Sequence, residues 1–417
     1  MRILMLLPRF PYPPDRGDTL RSWAVLSSLA ARHEIWLACV DHVPPRPEHM
    51  DYVRQRCAAT AVVVRSSRAS FWRGVGALVR GRSLTEGYFD HPGFAETVRQ
   101  WSQTVPFDAL FTYSSSIAAA AEHAVVNGRR ILDLGDVDSV KWATYARRSF
   151  PPLRWLQGVE ARRVGQQEER AVWGHGLCLL VNERERQKLQ NRMPRAETAV
   201  LPTTIDLDEY PPSPLPGAGP APVVGMVGSM FYPPNVRAVN WFGRYVWPLV
   251  RAQVPRARWL IVGSRPVRSV RRWGRCPDVT VTGYVADVRP YLASMRVFVD
   301  AVDGDIGVQS KVIVALAAGR ACVVTPDCAA GLDHGDPPPF LTAVSPAAFA
   351  EAVVRLLRDD AQAQALAARA RAVAAAHYST QSQMTRLENW LTGDAVRAEG
   401  LGVRADAAGV NPEVLSV

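Results

Sequence analysis

Twelve residues divide this chain. Pro211-Pro-Ser-Pro-Leu-Pro-Gly-Ala-Gly-Pro-Ala-Pro222 holds six prolines and two glycines. That density of missing N–H donors and fixed φ angles excludes a helix or a central strand, so the stretch reads as a linker. A strand–loop–helix pattern runs up to it, and the same pattern restarts directly behind it. With 417 residues and 48% hydrophobic content, the chain can fill two ordinary cores. The expected division is 1–210, a linker over 211–222, a second domain over 223–376, a closing helix over 377–393 and a flexible tail over 394–417.

In the first part, Arg2 to Leu7 is a short continuous apolar run. It begins like a secretory leader but stops at Pro8 with no small-residue cleavage site, so it reads as a buried strand. The loop that follows is held extended by Pro8, Pro11, Pro13 and Pro14. Asp18 or Thr19 can cap a helix from Leu20 to Arg32, and Glu34 to Val40 is a second buried strand. Strand–helix–strand at this position opens a parallel, doubly wound α/β sheet. Ligands of such sheets lie beyond the carboxyl ends of the strands, which is where Arg9, Arg16, Gly17, Asp18 and Arg21 fall. Further strands are expected at Thr60 to Val64, Ala109 to Thr112, Arg130 to Leu134 and Leu177 to Val181. Helices are expected at Phe94 to Gln103, Ile117 to Val126 and Leu156 to Trp173. Asp136 and Asp138 follow a strand and are candidates for proton transfer or acceptor hydroxyl binding; a helix cap with solvated acids is the other reading.

Behind the linker, strands at Val223 to Val227, Arg258 to Val262 and Val279 to Thr282 each run into a glycine, namely Gly228, Gly263 and Gly283. A helix is expected from Val236 to Val250. The next unit, Val299 to Thr325, joins a strand end to an acidic, Gly-containing loop, an apolar helix from about Gln309, a stop at Gly319 and another buried strand. A helix that starts behind such a loop presents unpaired N–H groups and a positive dipole end, and Lys311 adds a full charge there. This is a place for a diphosphate, and the glycine-bearing strand ends give it a wall of closely approachable backbone. An ordinary strand–loop–helix unit with one solvated lysine is the alternative. Helices at Pro346 to Arg358, at Ala361 to Ala376 and from Ser379 or Thr380 to Leu391 complete the pattern.

No run of eighteen apolar residues occurs, which argues against a membrane-spanning helix. Six scattered cysteines show no metal spacing and suit a reducing cytoplasm. The net charge of +10 attracts anionic headgroups or phosphate-bearing substrates, but basic and aromatic residues nowhere interleave as a nucleic-acid module would require.

Several stretches together resemble a known family. They are Pro8-Arg-Phe-Pro-Tyr-Pro-Pro-Asp-Arg-Gly-Asp18, Asp136-Val-Asp-Ser139 with Lys141-Trp142, Gly228-Ser-Met-Phe-Tyr-Pro-Pro-Asn-Val236 and Val262-Gly263. Val279 through Leu292 and Gly307-Val-Gln-Ser-Lys311 with Ala315-Leu-Ala-Ala-Gly-Arg320 complete the set. They resemble bacterial sugar transferases of glycosyltransferase family 4, especially the branch associated with PEP-CTERM/exosortase exopolysaccharide loci. The resemblance implies a GT-B fold of two facing Rossmann-like domains, with a last helix crossing back to the first. It implies a nucleotide-sugar donor on the second domain and a glycan or lipid-linked acceptor on the first. It also implies a retaining transfer with no bound metal or other cofactor. For such an enzyme in the cytoplasm, the basic charge would help it sit at the inner face of the membrane. Carried over residue by residue, Gly228, Ser229, Gly263, Gly283, Tyr284 and Val285 flank base and diphosphate, and Gly307, Val308, Gln309 and Lys311 hold the diphosphate. Arg9, Gly17, Asp18, Arg21 and Asp136 face the acceptor. Lys311 and Asp138 are the expected catalytic groups.

The chain departs from that family at Ile306 and Val314, which stand where the family carries two glutamates, and at Thr203-Thr204, which replaces Asn-Gly. The second glutamate meets the nucleotide ribose, and a valine cannot accept those hydrogen bonds; Asp303 or Asp305 could take its place from the loop. The rival reading is therefore a non-catalytic GT-B protein that binds a nucleotide sugar or partners another transferase. A GT-B epimerase is a third reading, but it lacks the acid/base carboxylate pattern.

Overall fold

The computed structural model describes residues 1–14, 16–217, 219, 221–303 and 307–393. Asp305, Ile306 and the tail over 394–417, about which the sequence raises expectations, lie outside the described residues.

Two sheets carry the chain, and every strand pairing in them is parallel. The first has β1 (Arg2–Leu7), β2 (Glu34–Asp41), β3 (Ala59–Val64), β4 (Ala109–Tyr113), β5 (Arg130–Gly135), β6 (Leu177–Leu180) and β7 (Thr198–Val200). Its spatial order is β3-β2-β1-β4-β5-β6-β7. The second has β8 (Val223–Val227), β9 (Arg258–Val262), β10 (Val279–Val281), β11 (Val297–Asp300), β12 (Ala321–Val324) and β13 (Phe340–Thr342), in the order β10-β9-β8-β11-β12-β13. Helices cover both faces, so the central strands are apolar without alternation: Ile3 to Leu7 of β1 and all four residues of β12 are buried. In each sheet the strand order reverses beside the first strand, between β1 and β4 and between β8 and β11. Both reversal points open a crevice at the carboxyl ends of the strands. This is the GT-B arrangement of two Rossmann-like lobes.

The chain crosses between lobes twice at neighbouring points. The N–H of Ile205 donates to the Tyr378 carbonyl at 2.8 Å, and the N–H of Thr380 donates to the Ile205 carbonyl at 3.0 Å. The helix Thr380–Thr392 then packs into the N-terminal lobe. Met384, Leu387, Trp390 and Leu391 join the apolar core built on β1 and β2, each burial stabilising by roughly 1.5–3 kcal/mol. Glu388 fastens the helix by an ion pair to Arg32 at 2.7 Å and a hydrogen bond with His33 at 3.0 Å.

Several elements differ from expectation. In place of a helix from Ile117 to Val126, a single 3₁₀ turn (Ser115–Ile117) leads into Ala118–Ala121, because Val126 is drawn into a bridge with Phe107. The expected helix Val236 to Val250 starts earlier, at Pro233, and passes through a π turn, Phe242–Val246, before resuming as Trp247–Gln253. Pro248 has no N–H to continue the α ladder, which accounts for the widened turn. Short edge strands β7 and β13 carry too few apolar residues to announce themselves in the sequence.

Candidate active site

Between the lobes lies a cleft of about 1070 Å³, walled by the carboxyl edges of both sheets. From the N-terminal lobe it is lined by Arg9, Gly17, Asp18, Arg21, Asp136 and Asp138, and from the C-terminal lobe by Ser229, Gly307, Val308, Gln309 and Lys311. Eleven residues that the sequence singles out, far apart in the chain, thus face one space. Gly228, Gly263, Gly283, Tyr284 and Val285 do not line it.

The glycines explain part of that split. A Cβ on Gly263 would lie 1.7 Å from the Gly228 carbonyl oxygen, and one on Gly228 would lie 2.7 Å from the Asn235 side chain. Their bareness lets the ends of β8 and β9 lie against each other and against the helix Pro233–Trp241; a ligand is not what fills that space. Gly283 adopts φ +72°, the left-handed region that glycine enters without strain, with open space where a side chain would be. Tyr284 is exposed, and Val285 packs on the same apolar cluster as Val308 and Val314.

Lys311 stands in the first turn of the helix Ser310–Ala317. Its Nζ donates to Asn235 Oδ1 at 2.6 Å and pairs with Asp300 Oδ1 at 3.1 Å. Asp300 ends β11 and is fully buried; burial pushes its carboxyl above the usual range, and Lys311 pulls it back down. Asn235 also donates to the Ser229 carbonyl at 3.1 Å, so one amide ties the β8 loop to the helix Ser310–Ala317. Sequence reasoning passed over Asn235, although Pro233-Pro234 marks a helix start and puts Asn235 in its first turn.

On the facing wall, Asp136 sits just past β5. Its Oδ1 has no hydrogen-bond partner, and a Cβ on Gly307 would come within 3.2 Å of Oδ2. The absent Gly307 side chain thus makes room for this carboxylate to reach across the cleft. Burial raises the Asp136 carboxyl above its ordinary value, and the like charges of Glu185 and Asp138 add to the shift. Asp138 opens the helix Asp138–Arg148, and its carboxyl is raised by burial and held down by Lys141, whose Nζ lies 3.5 Å away. Glu185 accepts from the Val137 N–H at 3.0 Å and from Lys188 at 2.7 Å. Lys188 and Glu185 were also missed: their helix, Glu183–Arg192, is mostly charged and polar and offers no apolar period to mark it.

The acceptor-side arginines are engaged differently from expectation. Arg21 lines the cleft, but its guanidinium forms a bidentate pair with buried Asp133 at 2.7 and 2.9 Å and donates to the Pro202 carbonyl at 3.1 Å. It therefore fixes the helix Gly17–Ala30 to β5 and to the Pro202 carbonyl, and these partners take up its hydrogen-bonding edge. Arg9 pairs with Asp18 at 3.0 Å. The pattern is general: Arg9, Arg21, Lys141, Lys188, Arg237 and Lys311 all line the cleft, and each has a carboxylate within 4 Å. Gly17 has nothing within 4 Å of a Cβ position and borders open cleft. Val314, one turn beyond Lys311, is half-buried among apolar neighbours. Thr203 also lines the cleft.

With the geometry in place, the fold can be compared with known ones. Over 94% of its length the chain superposes on sucrose-phosphate synthase from Thermosynechococcus elongatus (TM-score 0.66, 15% identity, 98% of that chain). It likewise superposes on Anabaena Alr3699/HepE in complex with UDP and glucose (TM-score 0.60, 14% identity, 94% of this chain and 100% of that one). An E. coli trehalose-6-phosphate protein bound with UDP-2-fluoro glucose is similar too (TM-score 0.62, 13% identity, 94% and 99% coverage). The fold is thus that of the GT-B glycosyltransferases. Residues 221–359, in the C-terminal lobe, match the family described as "Glycosyl transferases group 1". Among curated proteins none matches the chain by sequence.

Proposed function

We propose that this protein is a nucleotide-sugar-dependent glycosyltransferase that moves a hexosyl group to a glycan or lipid-linked acceptor, in the assembly of exopolysaccharide or another surface polysaccharide. The observation that carries this reading is a juxtaposition across one cleft. Lys311 and the first turn of Ser310–Ala317 form one wall, and Asp136 and Asp138 the other, in a GT-B frame with a group 1 domain. The donor diphosphate lies against Gly307 to Lys311, where the positive N-terminal end of the helix and the lysine offset the charge that grows on the leaving diphosphate. To do so Lys311 shares its charge between Asp300 and the diphosphate, a split that weakens donor binding relative to a free lysine. Asp138, whose side chain is 40% accessible at the cleft, meets the acceptor hydroxyl. Transfer proceeds with retention and without a metal or other cofactor, in the cytoplasm at the inner face of the membrane, which suits the basic charge.

A second reading is favoured by Val314. Its half-buried place among Val308, Val285 and their neighbours leaves no carboxylate for the ribose on that helix, which suits a GT-B protein that binds a nucleotide sugar without turning it over.

The test is a thermal-stability screen with UDP, GDP, ADP and dTDP on wild type and Lys311→Ala, followed by donor hydrolysis and transfer assays. UDP comes first because structures similar to this one hold UDP or UDP-sugars. Nucleotide-dependent stabilisation with turnover supports the first reading; stabilisation without turnover on a broad acceptor panel supports the second. No stabilisation by any nucleotide overturns both.

A further inference from the structure

The helices Asp138–Arg148 and Leu153–Trp173 pack side by side as a hairpin. One end of the hairpin carries Asp138 and Lys141 at the cleft. The other end, the turn at 149–152, lies one helix length away, about 16 Å for eleven residues. This far end is apolar and exposed: Phe150 is 86%, Trp155 70% and Leu153 50% accessible. A soluble protein has no reason to hold a phenylalanine, a tryptophan and a leucine in water at a protruding tip, and such a patch marks a contact surface.

Charge says what the contact is with. From Ser139 to Val159 the chain has no Asp or Glu at all, but has Lys141, Arg147, Arg148 and Arg154. The same combination recurs where this hairpin meets the helix Ser67–Val79. Arg163 of the hairpin donates to the Leu78 carbonyl, and to the Arg82 carbonyl at 3.2 Å. Between Tyr52 and Thr85 the chain again has no acidic residue, and here Phe71, Trp72 and Val79 are more than half exposed. These two stretches, 139–159 and 53–84, thus combine protruding aromatic and aliphatic side chains with cations and no Asp or Glu. An anionic bilayer surface meets both requirements, since aromatic rings settle at the headgroup level while arginines reach the phosphates.

We infer that the N-terminal lobe docks on an anionic lipid surface through the tip of this hairpin, Phe150, Leu153 and Trp155 entering the headgroup layer with Arg147 and Arg154 at its phosphates. The same helix then leads from the bilayer to Asp138, which places the acceptor wall of the cleft about one helix length above the lipid. The inference deepens the membrane-facing part of the function proposed above. It is tested without nucleotide, so its failure and the failure of donor binding are separate results.

The experiment is flotation of the purified full chain with phosphatidylcholine vesicles, with and without phosphatidylglycerol. Three variants accompany wild type: Phe150→Ser with Trp155→Ser, Arg147→Gln with Arg154→Gln, and Val344→Ser as an exposed apolar control in the other lobe. All altered side chains are exposed, so unfolding midpoints should match wild type. Wild type and the control should float with the anionic vesicles only. Each arginine near such a surface tightens binding roughly fivefold, so the arginine pair should weaken it by more than about tenfold, and added salt should do the same. The aromatic pair should lose binding. The inference is overturned if wild type does not float, if neutral vesicles bind equally well, or if the tip variants float like wild type. Loss of a wild-type dimer in the tip variants, with no vesicle binding, overturns it in favour of a protein interface.

Discussion

Lys311 and Asp300 form an ion pair at 3.1 Å in which the carboxylate is fully buried and the lysine nearly so. The lysine proposed above to meet a diphosphate is therefore also the partner that keeps a charge inside the end of β11 tolerable. Under that proposal its two tasks compete.

Removing that lysine should cost stability before any question of ligand arises. Lys311→Ala leaves Asp300 buried without its cation, and the expected loss is about 3–5 kcal/mol in denaturant unfolding. Adding Asp300→Asn to the same variant should recover much of the loss. If the single variant unfolds like wild type, Asp300 is not held by Lys311. Nucleotide titrations on Lys311→Ala must for this reason be read against its own unliganded midpoint.

Arg21 gives a parallel case on the other lobe. Arg21→Lys keeps the charge but cannot make the two parallel bonds to Asp133 and the third to Pro202. We expect a destabilisation of about 2 kcal/mol or more for lysine and about 3–5 for alanine, measured by chemical denaturation.

Asp136 should show the opposite sign with pH. Its carboxyl is raised above the ordinary value of 3.8, chiefly by burial and then by Glu185. The native state thus holds this proton more tightly than the unfolded chain does. That contribution is present below pH 3.8 and is lost as pH rises through the raised value, so the ionised carboxylate is a burden at neutral pH. Asp136→Asn should therefore raise the unfolding midpoint at pH 7, and its advantage should shrink on acidification and vanish below the ordinary carboxylate value. A constant advantage across pH would mean that the charge is not the cause.

Two glycines predict contrasting outcomes. Gly263→Ala drives a Cβ to 1.7 Å from the Gly228 carbonyl, backbone against backbone, and should destabilise by about 3 kcal/mol or more. Gly17→Ala meets nothing within 4 Å and should leave stability within about 0.5 kcal/mol of wild type. Any loss of donor or acceptor binding in Gly17→Ala then reports on the ligand itself.

Val314→Glu should tighten nucleotide binding if the ribose lies over that turn of the helix. The gain would be about 1.5–3 kcal/mol for a hydrogen bond to a charged group, read by calorimetry. Unchanged affinity would place the ribose elsewhere.

The frame of this molecule was legible because its signals are local. Continuous apolar runs such as Ile3 to Leu7, glycine at strand ends and a proline-dense linker each follow from short-range rules. The positions of the eleven cleft residues were legible for the same reason, since the carboxyl edge of a parallel sheet is where such loops must fall. What those residues bond to was not. Arg21 finds Asp133 across 112 positions and Lys311 finds Asn235 across 76, and nothing in either neighbourhood announces the partner. The glycines mislead in a related way: a bare Cα can admit a ligand or another backbone, and at Gly228 and Gly263 it admits backbone and an asparagine. Glu185 and Lys188 were hidden by being charged residues on a charged helix.

The double crossing at Ile205 and Ser379 also makes the two lobes one unit. The core around β1 and β2 is closed by Leu387 and Trp390, and Glu388 beside them reaches His33 across 355 positions. The segment that seals the N-terminal lobe therefore arrives only after the chain has passed through every strand of the other lobe. A change that frees this last helix opens an apolar groove in a lobe to which, by sequence, the helix does not belong.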